Sequence, residues 1–211
     1  MQTERAHHRL RELILDGTYP HGARLTELEA AGVLQMSRTP VREALRALAA
    51  DGLVRATGRG VVVVALEPPD LDDAYQVRAV LEALTARAAA ARQRAGRIAP
   101  ADLVALRECA AETAAATEAG QLQQAIVLNR RFHRGIAELS GNGIALRTLD
   151  RLWDQIQVST LRSLSPPARP ARVSAQHDRL LTAIEQGHDD EADRIAREHV
   201  LDTYASTDQK G

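Results

Sequence analysis

Strand-forming sequence is confined to one place in the chain. Leu53-Val54-Arg55-Ala56 and Val61-Val62-Val63-Val64 flank Thr57-Gly58-Arg59-Gly60. Two β-rich runs around a glycine-containing turn predict a small hairpin. Everywhere else apolar residues recur at helical spacing, interrupted by Gly and Pro. Aromatic residues are only 2% of the 211, so Leu, Ile, Val and Ala must build the core, and the Ala and Leu content favours helix. The expected fold class is mainly α with one small β element.

The elements can be placed in order. Ala6, Leu10, Leu13 and Ile14 mark a helix from about Thr3 to Asp16, stopped at Gly17 and followed by the turn Tyr19-Pro20-His21-Gly22. Thr26 is a good N-cap for a short helix through about Ala31. Ser37 can cap a further helix, with Pro40 in its first turn, where a missing N–H costs nothing. Its apolar side is Val41, Ala44, Leu45, Leu48 and Ala49, and Asp51-Gly52 ends it. Glu67-Pro68-Pro69-Asp70 reads as a linker. Beyond it, helices are expected near 71–94, 100–119, 121–140, 142–165, 170–186 and 188–206, with breaks at Gly96–Pro100, Gly120, Gly141-Asn142-Gly143, Pro166-Pro167 and Gly187. The predicted organisation is an N-terminal domain over 1–66 that carries the hairpin, a linker over 67–70, and an all-helical domain over 71–211.

Charge is spread unevenly. Residues 1–66 carry 9 Arg against 7 carboxylates, a net +2; the rest carries 18 basic against 21 acidic side chains, a net −3. Five arginines (38, 42, 46, 55 and 59) fall within residues 35–60, against Glu43 and Asp51. The single cysteine, Cys109, excludes an intrachain disulfide and fits a reducing compartment. The first residues form no apolar signal region, and no apolar run approaches the ~20 residues that span a bilayer. The expectation is a soluble, cytoplasmic protein without a membrane partner.

Two short helices followed by a hairpin make a winged helix-turn-helix, whose second helix can enter a major groove. In Ser37-Arg38-Thr39-Pro40-Val41-Arg42 the two arginines stand one turn apart on one helical face. Each can present a fork to guanine O6 and N7. Ser37, Thr39 and the open N–H groups of the first turn suit phosphates. Arg46 continues the stripe, and Arg59 with Gly60 forms a wing tip able to reach backbone or minor groove. Alone, an Arg-x-x-x-Arg pair is usually a solvated face; the Ser/Thr-rich helix start and the Gly-Arg-Gly hairpin favour DNA.

The run from Leu25 to Val54, above all Ser37-Arg-Thr-Pro-Val-Arg-Glu-Ala-Leu45, resembles the N-terminal domain of the GntR superfamily of bacterial regulators. Two departures are Ala30, where a larger apolar residue is usual, and Gln35, where the turn usually carries Gly. The remainder resembles the helical effector domain of the FadR-like branch, called FCD. The matching stretches are Tyr75–Glu82, Asn129–His133 with Ser140-Gly-Asn142, Gln176–Ile184 with Gly187 and Ala192, and His199. The resemblance implies a divalent metal such as Zn²⁺, Ni²⁺ or Mn²⁺ held by Asn129, His133, His177 and His199.

The residue pattern agrees with such a site. Asn129 and His133 share a helical face at i, i+4. His177 and His199 lie on two helices joined at Gly187, so antiparallel neighbours can hold them level. Three imidazoles and an amide form a neutral ligand set, which leaves the cation attractive to a carboxylate effector. Arg78 has two readings: an i, i+4 surface pair with Glu82, or, as the resemblance implies, a guanidinium facing the pocket. Arg134 is a second effector candidate, with Arg130 and Arg147 weaker ones. His7, His8, His21 and His188 read as ordinary surface or hydrogen-bonded histidines.

The function expected is that of a ligand-responsive regulator, a repressor, binding a palindromic operator as a homodimer and not acting as an enzyme. A metal-dependent hydrolase is the alternative that three histidines allow, but no general base is evident beside them. A nucleoid-type structural DNA-binding protein is the other, and sequence-independent binding with a steep salt slope would mark it.

Overall fold

A computed structural model describes residues 1–160 and 170–208. The elements run α1 (Gln2–Leu15), β1 (Arg24–Leu25), α2 (Glu27–Leu34), α3 (Arg38–Ala50), β2 (Val54–Thr57), β3 (Gly60–Val63), α4 (Pro68–Arg94), α5 (Pro100–Glu118), α6 (Leu122–Leu139), α7 (Gly143–Thr160), α8 (Pro170–Glu185) and α9 (Asp189–Asp208). The mainly helical class with one small sheet is the class expected. The predicted end of the 142–165 helix and the break at Pro166-Pro167 lie outside the described residues.

Contacts divide the chain into two compact units. Among the described residues, the first contains Met1–Leu71 together with the C-terminal part of α7 from Arg151; the second contains Asp72–Asp150 with α8 and α9. The sequence division at 66–71 leaves Arg151–Thr160 in the helical domain, whereas these residues pack with the head. The coil between β3 and α4 is residues 64–67, so most of the expected linker at 67–70 lies in α4, which starts at Pro68. Proline needs no N–H partner in a first turn and presets the helical φ, so the two prolines open the helix.

In the head, Ala6, Leu10, Ile14, Val41, Ala44, Leu48, Leu53 and Val63 form one buried core, joined by Val158 of α7. Thr26 and Glu29 form a reciprocal capping box at the start of α2. Gln35 closes α2 in the left-handed region, φ 52° and ψ 43°, which a glycine would adopt at less cost. The sheet is antiparallel in the order β1-β3-β2, with Leu25 opposite Val61 and Thr57 opposite Gly60. Gly60 has φ +147°, and a Cβ there would lie 2.3 Å from the Leu25 carbonyl oxygen. Only glycine lets β1 pass that close to the wing. The two-residue β1 was too short to be seen by periodicity.

The α7 segment is pinned to the head by polar bonds as well as by Val158. Asp154 accepts from Arg11 at 2.5 and 2.6 Å. Gln155 donates to the Asp51 carbonyl at the end of α3 (2.8 Å), and Gln157 to the Leu15 carbonyl at the end of α1 (3.0 Å). The helical unit has its own core of Ala86, Ala89, Ala90, Ile98, Leu106, Phe132, Ile136, Leu180, Leu181, Ile184, Ile195 and neighbours. It is built, as the composition requires, almost entirely without aromatics.

Candidate nucleic-acid interface and metal centre

In the head, α3 buries Val41, Ala44, Leu45 and Leu48 and turns its arginines outward. Ser37 occupies the N-cap with extended backbone but accepts no capping bond. Ser37 and Thr39 are exposed at the helix start. Arg38 donates to Glu27 of α2 at 3.1 Å, and Arg42 approaches the same carboxylate at 3.9 Å. One acidic side chain thus holds both guanidinia side by side. Sequence reading had no signal for this, because Glu27 lies on a different helix. Arg46 is 71% exposed and pairs with Glu43. Arg59 is exposed in the turn between β2 and β3. Exposed pairs of this kind are worth ~0–1 kcal/mol and exchange readily for phosphates or bases.

In the helical unit, His133 (α6), His177 (α8) and His199 (α9) are all buried, with one ligand atom from each within 4.8 Å of the others. The short bend at Gly187 brings α8 and α9 together, as expected. Asn129 is half-buried on α6, one turn before His133. Phe132, fully buried, stacks against His177 with ring centroids 4.4 Å apart.

The hydrogen bonds around the trio define which nitrogens hold protons. His133 Nδ1 lies 2.9 Å from Glu82 Oε2. Burial alone would raise the Glu82 carboxyl, but the Arg78 guanidinium and His133 hold it well below the usual carboxylate range. An ionised carboxylate only accepts, so His133 Nδ1 carries the proton. Gln176 Nε2 donates to Asp202 at 2.8 Å. The Gln176 carbonyl oxygen is thereby turned to His199 Nδ1, 3.0 Å away, which must donate. In their neutral forms both rings then have their lone pairs at Nε2, and these two atoms lie 3.1 Å apart.

Two lone pairs cannot face each other at that distance without a cation between them. A proton could bridge two nitrogens. The third, His177 Nε2, is buried with no hydrogen-bond partner among the described residues, which a bridging proton leaves unexplained. Its imidazole is kept neutral: burial first, then the neighbouring His133 and His199, push it well below the ordinary value of 6.5. Two nitrogens 3.1 Å apart are about 95° apart around an ion that binds each at ~2.1 Å. The donor set fits a divalent ion. Fixing Nδ1 of a ligating histidine by a carboxylate or amide is also the usual way such rings are oriented.

Of the effector candidates, Arg78 is brought to this centre and Arg134 is not. The i, i+4 pair of Arg78 with Glu82 forms at 2.7 Å, but buried beside the histidines instead of on the surface. Arg78 also lies over the Tyr75 ring, 5.6 Å from its centroid. Arg134 is 43% exposed and bonded to Asp150 and Glu138, and Arg130 donates to the Asp150 carbonyl. Glu82 and Gln176 went unassigned at the sequence level. Glu82 is a carboxylate beside the histidines, where the sequence showed no evident general base, and its ion pair with Arg78 and depressed proton affinity make it a poor one.

A winged helix-turn-helix with an outward arginine stripe, followed by a helical unit with a buried polar centre, defines a DNA-binding transcriptional regulator. Residues 2–64 match the bacterial regulatory proteins of the gntR family, and residues 73–202 match the FCD domain. The chain belongs to the GntR family of transcriptional regulators and carries an FCD domain. It is 28% identical over 200 residues to the HTH-type transcriptional regulator YdhC of Bacillus subtilis (strain 168), covering 92% of this chain and 84% of the relative. It is 30% identical over 190 residues to the probable D-xylose utilization operon transcriptional repressor of Paenarthrobacter nicotinovorans, covering 89% and 80%. The solved structure of E. coli McbR/YncC shares the fold, with a TM-score of 0.85 and 24% identity over 100% of this chain and 98% of that one. No helix among the described residues is long and apolar enough to cross a membrane.

Proposed function

We propose that this protein is a repressor that reads a palindromic operator as a homodimer and is controlled by a small carboxylate bound at a metal-containing pocket. The observation that carries the reading is the buried histidine trio, with two lone-pair nitrogens 3.1 Å apart and a third without a partner. A divalent ion such as Zn²⁺, Ni²⁺ or Mn²⁺ on His133, His177 and His199, with Asn129 as a further oxygen donor, satisfies all three nitrogens. When bound, the ion supplies a Lewis-acidic centre with positions open to an anion.

Electrostatics favour a carboxylate. Glu82 and Arg78 cancel each other, so the ion's charge stays uncompensated by the protein. Arg78, already in the site, offers remaining guanidinium N–H groups to an anion. Anion binding then acts on α4, α6, α8 and α9 together, and differential affinity for two arrangements shifts the operator-binding equilibrium. In the head, Arg38 and Arg42 read guanines, Ser37 and Thr39 hold phosphates, and Arg46, Arg59 and Gly60 extend the contact.

The test has two arms. Selection from a random double-stranded DNA pool yields one palindrome bound by wild type and not by Arg42→Ala. Zn²⁺-loaded protein on that palindrome then loses affinity with one member of a panel of small hydroxy and dicarboxylic acids, and His177→Ala does not respond. Binding without sequence preference contradicts the first arm. Affinity unaffected by every acid contradicts the second.

A further inference from the structure

Gln176 of α8 stands between His199 and Asp202, both on α9. Its Oε1 lies 3.0 Å from His199 Nδ1, and its Nε2 donates to Asp202 Oδ2 at 2.8 Å. The two ends of a carboxamide have the same shape, so hydrogen bonds alone decide which way it points. Turned over, Gln176 would donate from Nε2 to His199 Nδ1. The His199 proton would then sit on Nε2 and donate to His133 Nε2, 3.1 Å away. That closed arrangement satisfies both rings. It uses the inward lone pair of His133, covers that of His199, and leaves His177 Nε2 alone to an ion. Judged from the two rings, it is the better bonded of the two, because the open arrangement sets lone pairs face to face. Asp202 opposes it. An ionised carboxylate accepts and cannot donate, so a turned Gln176 would bring its oxygen against Asp202 and lose that bond. Both residues are half-buried, where water is a poor substitute for the lost partner.

We infer that Asp202 is a positioning residue: acting through Gln176, it holds the His199 proton on Nδ1 and so keeps Nε2 open to an ion. This rests on the metal reading above and names the residue that makes the site receptive. Glu82 fixes His133 by direct contact, and a carboxylate has no second orientation to choose. His199 instead faces an amide, which accepts or donates according to its outer neighbour. The trio is therefore a two-state hydrogen-bond system, and a carboxylate that touches none of the three metal-facing nitrogens selects the state.

NMR of the histidine ring nitrogens in the chelator-stripped full chain reads the tautomer, with far-UV circular dichroism as the folding control. In wild type the His199 proton is on Nδ1. In Asp202→Ala it moves to Nε2, and Zn²⁺ affinity, measured by competition with a chromophoric chelator, falls roughly 10–100-fold. A glutamate at 176 only accepts, so Asp202→Ala/Gln176→Glu returns the proton to Nδ1 and recovers most of the affinity. A purely structural role for Asp202 would not be rescued in this way. A His199 proton that stays on Nδ1 in Asp202→Ala overturns the assignment, as does a double variant with the proton on Nε2. A wild type that binds no Zn²⁺ overturns the metal reading, and the spectrum still decides whether Asp202 sets the tautomer. If Asp202→Ala does not fold, Asp202→Leu, equally without an acceptor, decides by the same spectrum.

Discussion

His133 and His199, 66 residues apart in the chain, bring their Nε2 atoms to 3.1 Å in the buried interior of the helical unit. Each ring has its other nitrogen committed, His133 to Glu82 and His199 to Gln176. The pair is therefore a preset acceptor pair. The polar groups around it act mainly to fix which nitrogen faces inward.

Glu82 links this pair to Arg78. In Glu82→Gln the amide oxygen can still accept from His133, but Arg78 becomes a buried cation without a counter-charge. A loss of ~3–5 kcal/mol in stability is expected from breaking the buried pair, and a 10–100-fold loss of metal affinity from weakening the orientation of His133. The double variant Arg78→Met/Glu82→Leu recovers most of the stability and none of the metal affinity. Urea unfolding and calorimetric titration with Zn²⁺ separate the two effects.

Acid should destabilise the metal-free protein. The buried His177 imidazole sits well below its ordinary 6.5, so the unfolded chain binds its proton first as pH falls. Stability is therefore full above about pH 6.5 and declines below it, down through the folded-state value. Glu82, also depressed, adds to the decline below about pH 4.5. Urea midpoints measured in chelator from pH 8 downward should fall in wild type and stay flatter from pH 6.5 to 5 in His177→Asn. Equal slopes would contradict the burial argument.

Much of this site was legible in the sequence, for reasons that can be named. The resemblance to the FCD domain singled out the three histidines, and the short bend at Gly187 makes α8 and α9 neighbours on which His177 and His199 can lie level. The role of Glu82 was not legible. An i, i+4 Arg–Glu pair looks the same on a wet face as on a buried one, and the packing around α4 decides between them. The docking of Arg151–Thr160 on the head was likewise hidden, since an amphipathic helix shows that it has an apolar face and not what covers it. The two-residue β1 is shorter than any periodicity, and Gly60, whose φ and close contact with Leu25 demand glycine, was its only trace.

Gln35 offers a test of local strain. It is the one non-glycine residue with positive φ among the described residues. Relief of the left-handed conformation exceeds the added entropy of glycine, so Gln35→Gly should stabilise the protein by about 0.5–1 kcal/mol. Chemical denaturation of wild type and variant checks this. Destabilisation would mean that the Gln35 side chain contributes something its exposed position does not suggest.

The recognition arginines should differ in kind from the wing arginine. Arg42→Ala should cost ~1–3 kcal/mol on the selected palindrome and relax preference at one base pair of each half-site. Arg59→Ala should weaken binding evenly across sequences and reduce the salt slope by about 1. Fluorescence anisotropy at several salt concentrations distinguishes them.

The most direct measurement is thermal unfolding of chelator-stripped protein with Zn²⁺, Ni²⁺ or Mn²⁺ added back, beside His177→Ala. An ion at ~100 times its dissociation constant adds about 2.7 kcal/mol, a rise of roughly 5–10 °C in Tm for a chain of this size. That rise in wild type, absent in His177→Ala, is the predicted result. No rise with any of the three ions would contradict the metal centre and leave the histidines a hydrogen-bonded part of the core.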